Sequence, residues 1–156
     1  MSSLIPSSAL TIGIDIGGTK VLGGVVDSTG KIIDSARRAT PASGGKELIA
    51  AIIDLIKEFQ NKHEIAGIGI SVAALILKDQ GTIAGAPNIA NLSQLNFVSE
   101  ISKVFNLPVI AENDANAAMW AEYKFGNAHG LNPVIFFIIG TGMGGGLVID
   151  GKLFRG

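Results

Sequence analysis

The sequence predicts an α/β fold, and three observations carry that prediction. Short β-branched runs alternate with glycine- or Asp/Asn-marked turns from about residue 10 onward. The stretch after Gly44-Gly45 repeats apolar residues every three or four positions, the period of a helix with one buried face. A pattern of strand, glycine turn, strand, turn, strand occurs near the start and again over 134–154. The doubled pattern points to two related lobes, residues 1–118 as the first and 119–156 as the opening of a second, left unfinished. The length, 156 residues, is that of one ordinary domain.

Taken in order, Thr11 to Ile16 reads as a strand that Gly17-Gly18 stops, Val21 to Val26 as a second, and Lys31 to Arg37 as a third. Connections this short make the three strands antiparallel neighbours. Leu48, Ile49, Ile52, Ile53, Ile56 and Phe59 define one face of the first helix, with Lys57, Glu58, Gln60 and Lys62 elsewhere on it. The apolar run Ile65 to Leu77 reads as a buried strand, Asp79-Gln80-Gly81 as a turn, and Thr82 to Ala84 as a short return strand. Ser93 to Asn106 is expected to be a second helix, and Pro108 to Ala111 a strand. Asn113-Asp114 then opens a helix over Ala115 to Phe125. Val134 to Ile139 is a strong strand, Gly140 to Gly146 a glycine loop, and Leu147 to Ile149 a strand. Asp150-Gly151 is a tight turn into a last strand at Lys152 to Phe154.

Composition removes several classes of function. With 12 basic and 13 acidic residues the formal charge is −1, and the one basic doublet is Arg37-Arg38, so a nucleic-acid or anionic-membrane partner is not expected. The absence of cysteine excludes a disulfide scaffold and thiolate metal sites, and His63 and His129 are too far apart in sequence to suggest a shared metal. The first ten residues carry no positive charge and Pro6 interrupts them, which argues against a signal peptide. No stretch matches the about 20 apolar residues of a membrane span, so a cytoplasmic location is expected. Charged residues are only 16% of the chain, against about 25% in ordinary soluble domains. So apolar a chain either buries an unusual share of itself or is built to be covered.

Three motifs can carry chemistry. In Asp15-Ile16-Gly17-Gly18-Thr19-Lys20 the bare glycine backbone lets consecutive amides converge on a phosphate oxygen; Thr19 adds a hydroxyl, Lys20 a positive charge, and Asp15 a carboxylate suited to hydrated Mg²⁺. The alternative is a hairpin turn whose glycines supply only backbone freedom. Gly140-Thr141-Gly142-Met143-Gly144-Gly145-Gly146 satisfies the spacing G-x-G-x-x-G. The dinucleotide fingerprint needs a helix directly after the loop, whereas a strand and an Asp-Gly turn follow here, so a phosphate-cradling hairpin survives and a dinucleotide site does not. Glu112-Asn113-Asp114-Ala115-Asn116 places carboxylates and amides where a strand gives way to a helix. One of them can serve as N-cap; the rest exceed what a cap needs, and a carboxylate there can take a proton from an alcohol. Pro87-Asn88 is a weaker polar point after a short strand. Two amide-rich loops, one Asp suited to a metal and one separate Asp are the parts of phosphoryl transfer to an alcohol.

Ile12 to Lys20, Ala86-Pro87-Asn88, Glu112 to Ala118 and Gly140 to Gly146 stand in the order found in ROK-family sugar kinases, and the closing Asp150 to Gly156 matches as well. The chain resembles that family, bacterial glucokinases and their relatives, over residues 10–156. The resemblance implies the actin/hexokinase-like (ASKHA, ribonuclease H-like) fold: an N-terminal lobe with a mixed sheet flanked by helices, plus the first strands of a truncated second lobe. It implies ATP-dependent phosphorylation of a hexose hydroxyl, glucose to glucose 6-phosphate foremost, with Mg²⁺. It implies Asp114 as the general base, Asn88 and Asn113 on sugar hydroxyls, Gly17, Gly18, Thr19 and Lys20 as the first phosphate loop, Asp15 near the metal, and Thr141 and Gly142 on the nucleotide.

Departures from the family pattern fall near the sugar: Ala74 stands where many members have Gly, Leu77 where they have Asp, and Ala121 where Gly often precedes the residue matching Glu122. Beyond the position of Gly156, members continue into a His/Glu sugar-binding segment, a cysteine-rich structural zinc motif and most of the adenine pocket. This chain carries none of these, so zinc is not supported by its residues. The expectation is an N-terminal part of a kinase that forms a homo-oligomer at full length, with little or no activity on its own. A non-catalytic sugar-binding fragment and a ROK-type regulatory fragment are the alternatives. Repressors of the family place a helix-turn-helix segment before the first glycine motif, and here about ten uncharged residues precede it.

Overall fold

The computed structural model describes residues 9–77, 79, 81–140 and 142–155. They form two compact units that divide between Glu112 and Asn113. The lobe boundary expected after Ala118 falls inside a helix of the second unit.

In the first unit β1 (Leu10–Ile16), β2 (Lys20–Val26) and β3 (Ile32–Ala39) run antiparallel in sequence order, as the short connections require. The chain then enters α1 (Gly45–Gln60) and returns as β4 (Ile65–Val72), parallel to β1. A two-stranded piece follows, β5 (Leu75–Ile76) with β6 (Ile83–Gly85), then α2 (Phe97–Ser102) and β7 (Val109–Asn113). The main sheet has the order β3-β2-β1-β4-β7 and is mixed, as the resemblance implies. Period-2 alternation sends Ile12, Ile14 and Ile16 into the core, where α1 lays down Leu48, Ile52, Leu55, Ile56 and Phe59. Gly13 and Asp15 face the other way and are exposed. Gly23 sets the depth of α1: a Cβ there would lie 2.7 Å from Phe59 Cε2 and 2.8 Å from Leu55 Cδ2. Leu55 is part of the core and Ile53 only partly buried, a shift of the apolar face from the one read in the sequence.

Two expected elements come out shorter. The run Ile65 to Leu77 is not one strand. The Ala73 N–H makes the last bond of the ladder, to Ile16 O (3.1 Å), and the Ala74 N–H then folds back to Val72 O (2.8 Å), which turns the chain out of the sheet and leaves Leu75 exposed. The helix expected over Ser93 to Asn106 holds only for Phe97–Ser102. Gln94 N–H donates to Ile83 O (2.9 Å), Leu95 O accepts from Ile83 N–H (2.8 Å) and Asn96 bridges to Thr82, so these residues pair with a strand before they can enter a helix. Asn96 then starts the helix by accepting the Ser99 N–H at 2.8 Å.

The second unit consists of α3 (Asp114–Phe125) and an antiparallel sheet of β8 (Val134–Ile139), β9 (Met143–Ile149) and β10 (Lys152–Phe154), in the order β10-β9-β8. Asp150 (φ 50°) and Gly151 (φ 72°) are both left-handed, as a two-residue turn between twisted strands requires. The glycine loop is shorter than its sequence suggests, because Gly144, Gly145 and Gly146 belong to β9. A Cβ on Gly144 would sit 2.8 Å from Ala115 Cβ, and one on Gly146 2.5 Å from Met119 Cβ. These glycines admit the helix. No helix among the described residues is long and apolar enough to cross a membrane.

Candidate functional site

In the first unit the β1–β2 connection is a tight hairpin in which Gly17 N–H donates to Lys20 O at 2.9 Å. Thr40, just past β3, clamps it: its Oγ1 donates to Gly17 O (2.7 Å) and its N–H to Thr19 O (3.2 Å). The Gly17 amide is therefore occupied within the turn. Among the described residues the N–H groups of Gly18 and Thr19 have no protein acceptor, and both residues are exposed, as is Lys20. Two outward amides, a hydroxyl and an ammonium at one bend suit an oxyanion.

Asp15 ends the exposed face of β1 beside this bend. Its register partner on β4 is Ser71, whose hydroxyl donates to Asp15 Oδ1 at 3.0 Å. In the sequence Ser71 is only the one hydroxyl in the apolar run Ile65 to Leu77; the parallel register with Asp15 gives it meaning. Among the described residues no three His, Cys, Asp or Glu side chains group together for a metal ion. A lone carboxylate fits Mg²⁺ that keeps most of its water and takes its remaining ligands from phosphate, and it does not fit a fully protein-caged ion.

Asn88 lies in the loop after β6 and is exposed. The structure brings it to the glycine bend: a Cβ on Gly18 would lie 2.8 Å from Asn88 O and 3.3 Å from Asn88 Cβ. Glycine at 18 thus permits this approach as well as baring its own amide.

In the second unit Asn113 is the N-cap of α3, its Oδ1 accepting the N–H groups of Ala115 (3.0 Å) and Asn116 (3.2 Å). Asp114 occupies the first helical position and is exposed. Its Oδ1 accepts from Asn113 Nδ2 (3.0 Å) and the Ala115 N–H (2.9 Å). Both bonds fall on one oxygen, which leaves Oδ2 as the atom an alcohol proton can reach. The capping of α3 thus falls to Asn113, the neighbour of this carboxylate. At the β8–β9 bend Gly140 N–H donates to Gly142 O at 2.8 Å, and Gly142 is exposed with open space where a side chain would be. Thr141 lies outside the described residues.

The displaced ionisation equilibria belong to structural turns and ties. Asp27 is held below the usual carboxylate range by the Thr29 hydroxyl and amide, Asp79 by the Thr82 hydroxyl and the amides of Thr82 and Gly81, and Asp34 foremost by His63.

Residues 11–156 match the ROK family. The chain is 42% identical to the glucokinase of Streptomyces coelicolor over 147 residues, which are 94% of this chain and 46% of the relative. It is 35% identical to the N-acetylmannosamine kinase of Escherichia fergusonii over 151 residues, 94% of this chain and 50% of that one. A ROK glucokinase from Streptomyces griseus, solved in complex with glucose and AMPPNP, superposes with a TM-score of 0.87 at 40% identity, over 94% of this chain and 46% of that structure. The chain spans about half the length of these relatives. Its matched residues and its actin/hexokinase-like fold make it a member of the ROK family.

Proposed function

We propose that this chain is part of an ATP-dependent hexose kinase, with glucose as its substrate. The observation that carries the proposal is the contact of Gly18 with the backbone of Asn88, which sets a bend with two outward amides against an exposed carboxamide. An anion held at the first and a polyol held at the second meet the positional demand of phosphoryl transfer. The names of the relatives, glucokinase and N-acetylmannosamine kinase, support the same reading.

Within that proposal the amides of Gly18 and Thr19, with Thr19 Oγ1 and Lys20 Nζ, bind phosphate oxygens, and Gly17 shapes the turn. Asn88 and Asn113 hydrogen-bond sugar hydroxyls. Asp114 Oδ2 accepts the proton of the attacking hydroxyl, while Oδ1 stays fixed by Asn113 and Ala115. Thr141 and Gly142 contact the nucleotide. Asp15, oriented by Ser71, holds the water shell of Mg²⁺, which when bound neutralises phosphate charge.

The test is glucose-dependent ADP release. The 156-residue chain alone is expected to show little or none. The same chain joined to the remaining half of the Streptomyces coelicolor glucokinase is expected to turn over, and Asp114→Asn in that chimera to lower kcat by about 10²–10⁴. Full activity in Asp114→Asn would remove it as the proton acceptor; a chimera that folds yet phosphorylates no hexose would sink the kinase reading.

A further inference from the structure

The carboxamide of Asn88 makes no hydrogen bond among the described residues, so the backbone alone aims it. That backbone, residues 86–91, is held on two sides by glycines. Gly18 meets it at Asn88. At the other end stands Gly44, the N-cap of α1, at φ 58° and ψ −138°, a conformation open to glycine alone. A Cβ on Gly44 would fall 1.8 Å from Ala90 O. The Gly45 N–H donates to the same carbonyl at 3.2 Å, and Asn91 Nδ2 donates to Ser43 O at 3.0 Å. Between the two grips Ile89 is buried in the core, and Leu92 is buried just after them.

We propose that the Ser43–Gly44–Gly45 turn is a positioning element for sugar binding: it seats Ala90 and Asn91 against the start of α1 and so fixes where Asn88 presents its amide. This rests on the reading of Asn88 as a sugar ligand. Among the described residues the hydrogen bonds of the turn include those to Pro41, Ala90 and Asn91 and none to Gly18 or Thr19, so its larger effect falls on the sugar and a smaller one reaches the phosphate bend through the contact of Gly18 with Asn88. A misplacement of about 1 Å at a positioned group can cost about 10²-fold in rate, so a shift of the Asn88 amide is expected to be felt in its grip on the sugar as well.

The experiment titrates the chimera of this chain with the remaining half of the Streptomyces coelicolor glucokinase, first with glucose and separately with AMPPNP, following backbone amide NMR signals. Three variants are compared with the unaltered chimera. Gly44→Ala places a methyl group against Ala90 O. Asn91→Gly removes the tie to Ser43 O while keeping a residue suited to the φ of 53° found there. Gly13→Ala is the control, since nothing lies within 4 Å of a Cβ at that position. The expected result is a glucose Kd raised about tenfold by Gly44→Ala and about threefold by Asn91→Gly, with the AMPPNP Kd within about twofold throughout and Gly13→Ala silent. Should Gly44→Ala fail to fold, Asn91→Gly carries the test. Glucose binding unchanged in the variants, or glucose and AMPPNP constants that rise by the same factor, overturns the positioning role and leaves the kinase reading intact. An unaltered chimera that binds AMPPNP but shows no glucose shift at Asn88 overturns the sugar role of Asn88 and this inference with it.

Discussion

The molecule builds the same small device twice. In the first unit β1 and β2 form a hairpin around Gly17–Thr19, and Gly23 on the second strand lets α1 settle against the sheet. In the second unit β8 and β9 form a hairpin whose second strand carries Gly144 and Gly146, against which α3 settles. The difference lies at the other edge of each hairpin. β1 has β4 along its free side, and its isoleucines are fully buried. β8 is the last strand of its sheet and leaves Phe137 70% and Ile139 78% exposed. Similar local text thus meets different surroundings, and strand apolarity by itself does not say whether a strand is covered.

Core truncation gives the largest expected contrast. Phe59→Ala, at a fully buried position under Gly23, is expected to destabilise the first unit by about 3–5 kcal/mol in denaturant unfolding. Phe137→Ala is expected to stay within about 0.5 kcal/mol, as exposed positions do. Equal losses would mean that β8 is as well packed as β1, and the contrast would fail.

Glycine substitutions sharpen the comparison within the second hairpin. Gly146→Ala drives a methyl group into Met119 and is expected to cost about 1–3 kcal/mol, read as faster hydrogen exchange along β9 and α3. Gly142→Ala, in the open bend, is expected to change stability by no more than about 0.5 kcal/mol. Reversed magnitudes would return the whole of 140–146 to the status of a loop. A smaller effect is expected on association: Ile139→Lys puts a charge on the bare strand and should lower self-association in light scattering with no loss of folded signal. Unchanged association would show that copies do not meet through β8.

Much of this architecture is legible in the sequence, because the deciding signals are local. Gly17-Gly18, Asp150-Gly151 and the Leu48–Phe59 spacing each specify an element through backbone freedom or period, and the structure has all three. What was not legible depends on partners distant along the chain. Gly144 and Gly146 read as loop because nothing nearby announces α3, which needs the space their missing side chains leave. Gln94 to Asn96 read as helix because their pairing with Thr82 and Ile83 is set by a turn more than ten residues earlier. Among the candidate residues, Asp114 and Asn113 stand out through polarity at a strand end. Ser71, Thr40 and the tie from Asn91 to Ser43 do not, since a single hydroxyl or amide acquires its role only when the sheet register and the approach of a distant loop bring it a partner.

The smallest effect concerns the tie between β3 and the end of α1. Asp34 Oδ2 meets His63 Nε2 at 3.1 Å and Lys62 Nζ at 3.4 Å; Lys62 also reaches Glu58, which pairs with Arg38. The hydrogen bond with His63, then those with Lys62, hold the Asp34 carboxyl below its ordinary value, while Asp34 raises that of Lys62. A carboxyl lowered on folding stabilises the protein above its unfolded value, and that stabilisation is lost as pH falls through the lowered folded value. An ammonium raised on folding stabilises below its unfolded value and loses this only as pH climbs through the raised one. Around neutrality both contributions are present. Asp34→Asn is therefore expected to lower the melting temperature slightly at pH 7, with a gap that persists down to the ordinary carboxylate range and closes at more acid pH. A gap that stays open well below that range would mean the side chain holds β3 to α1 through packing, with charge playing no part.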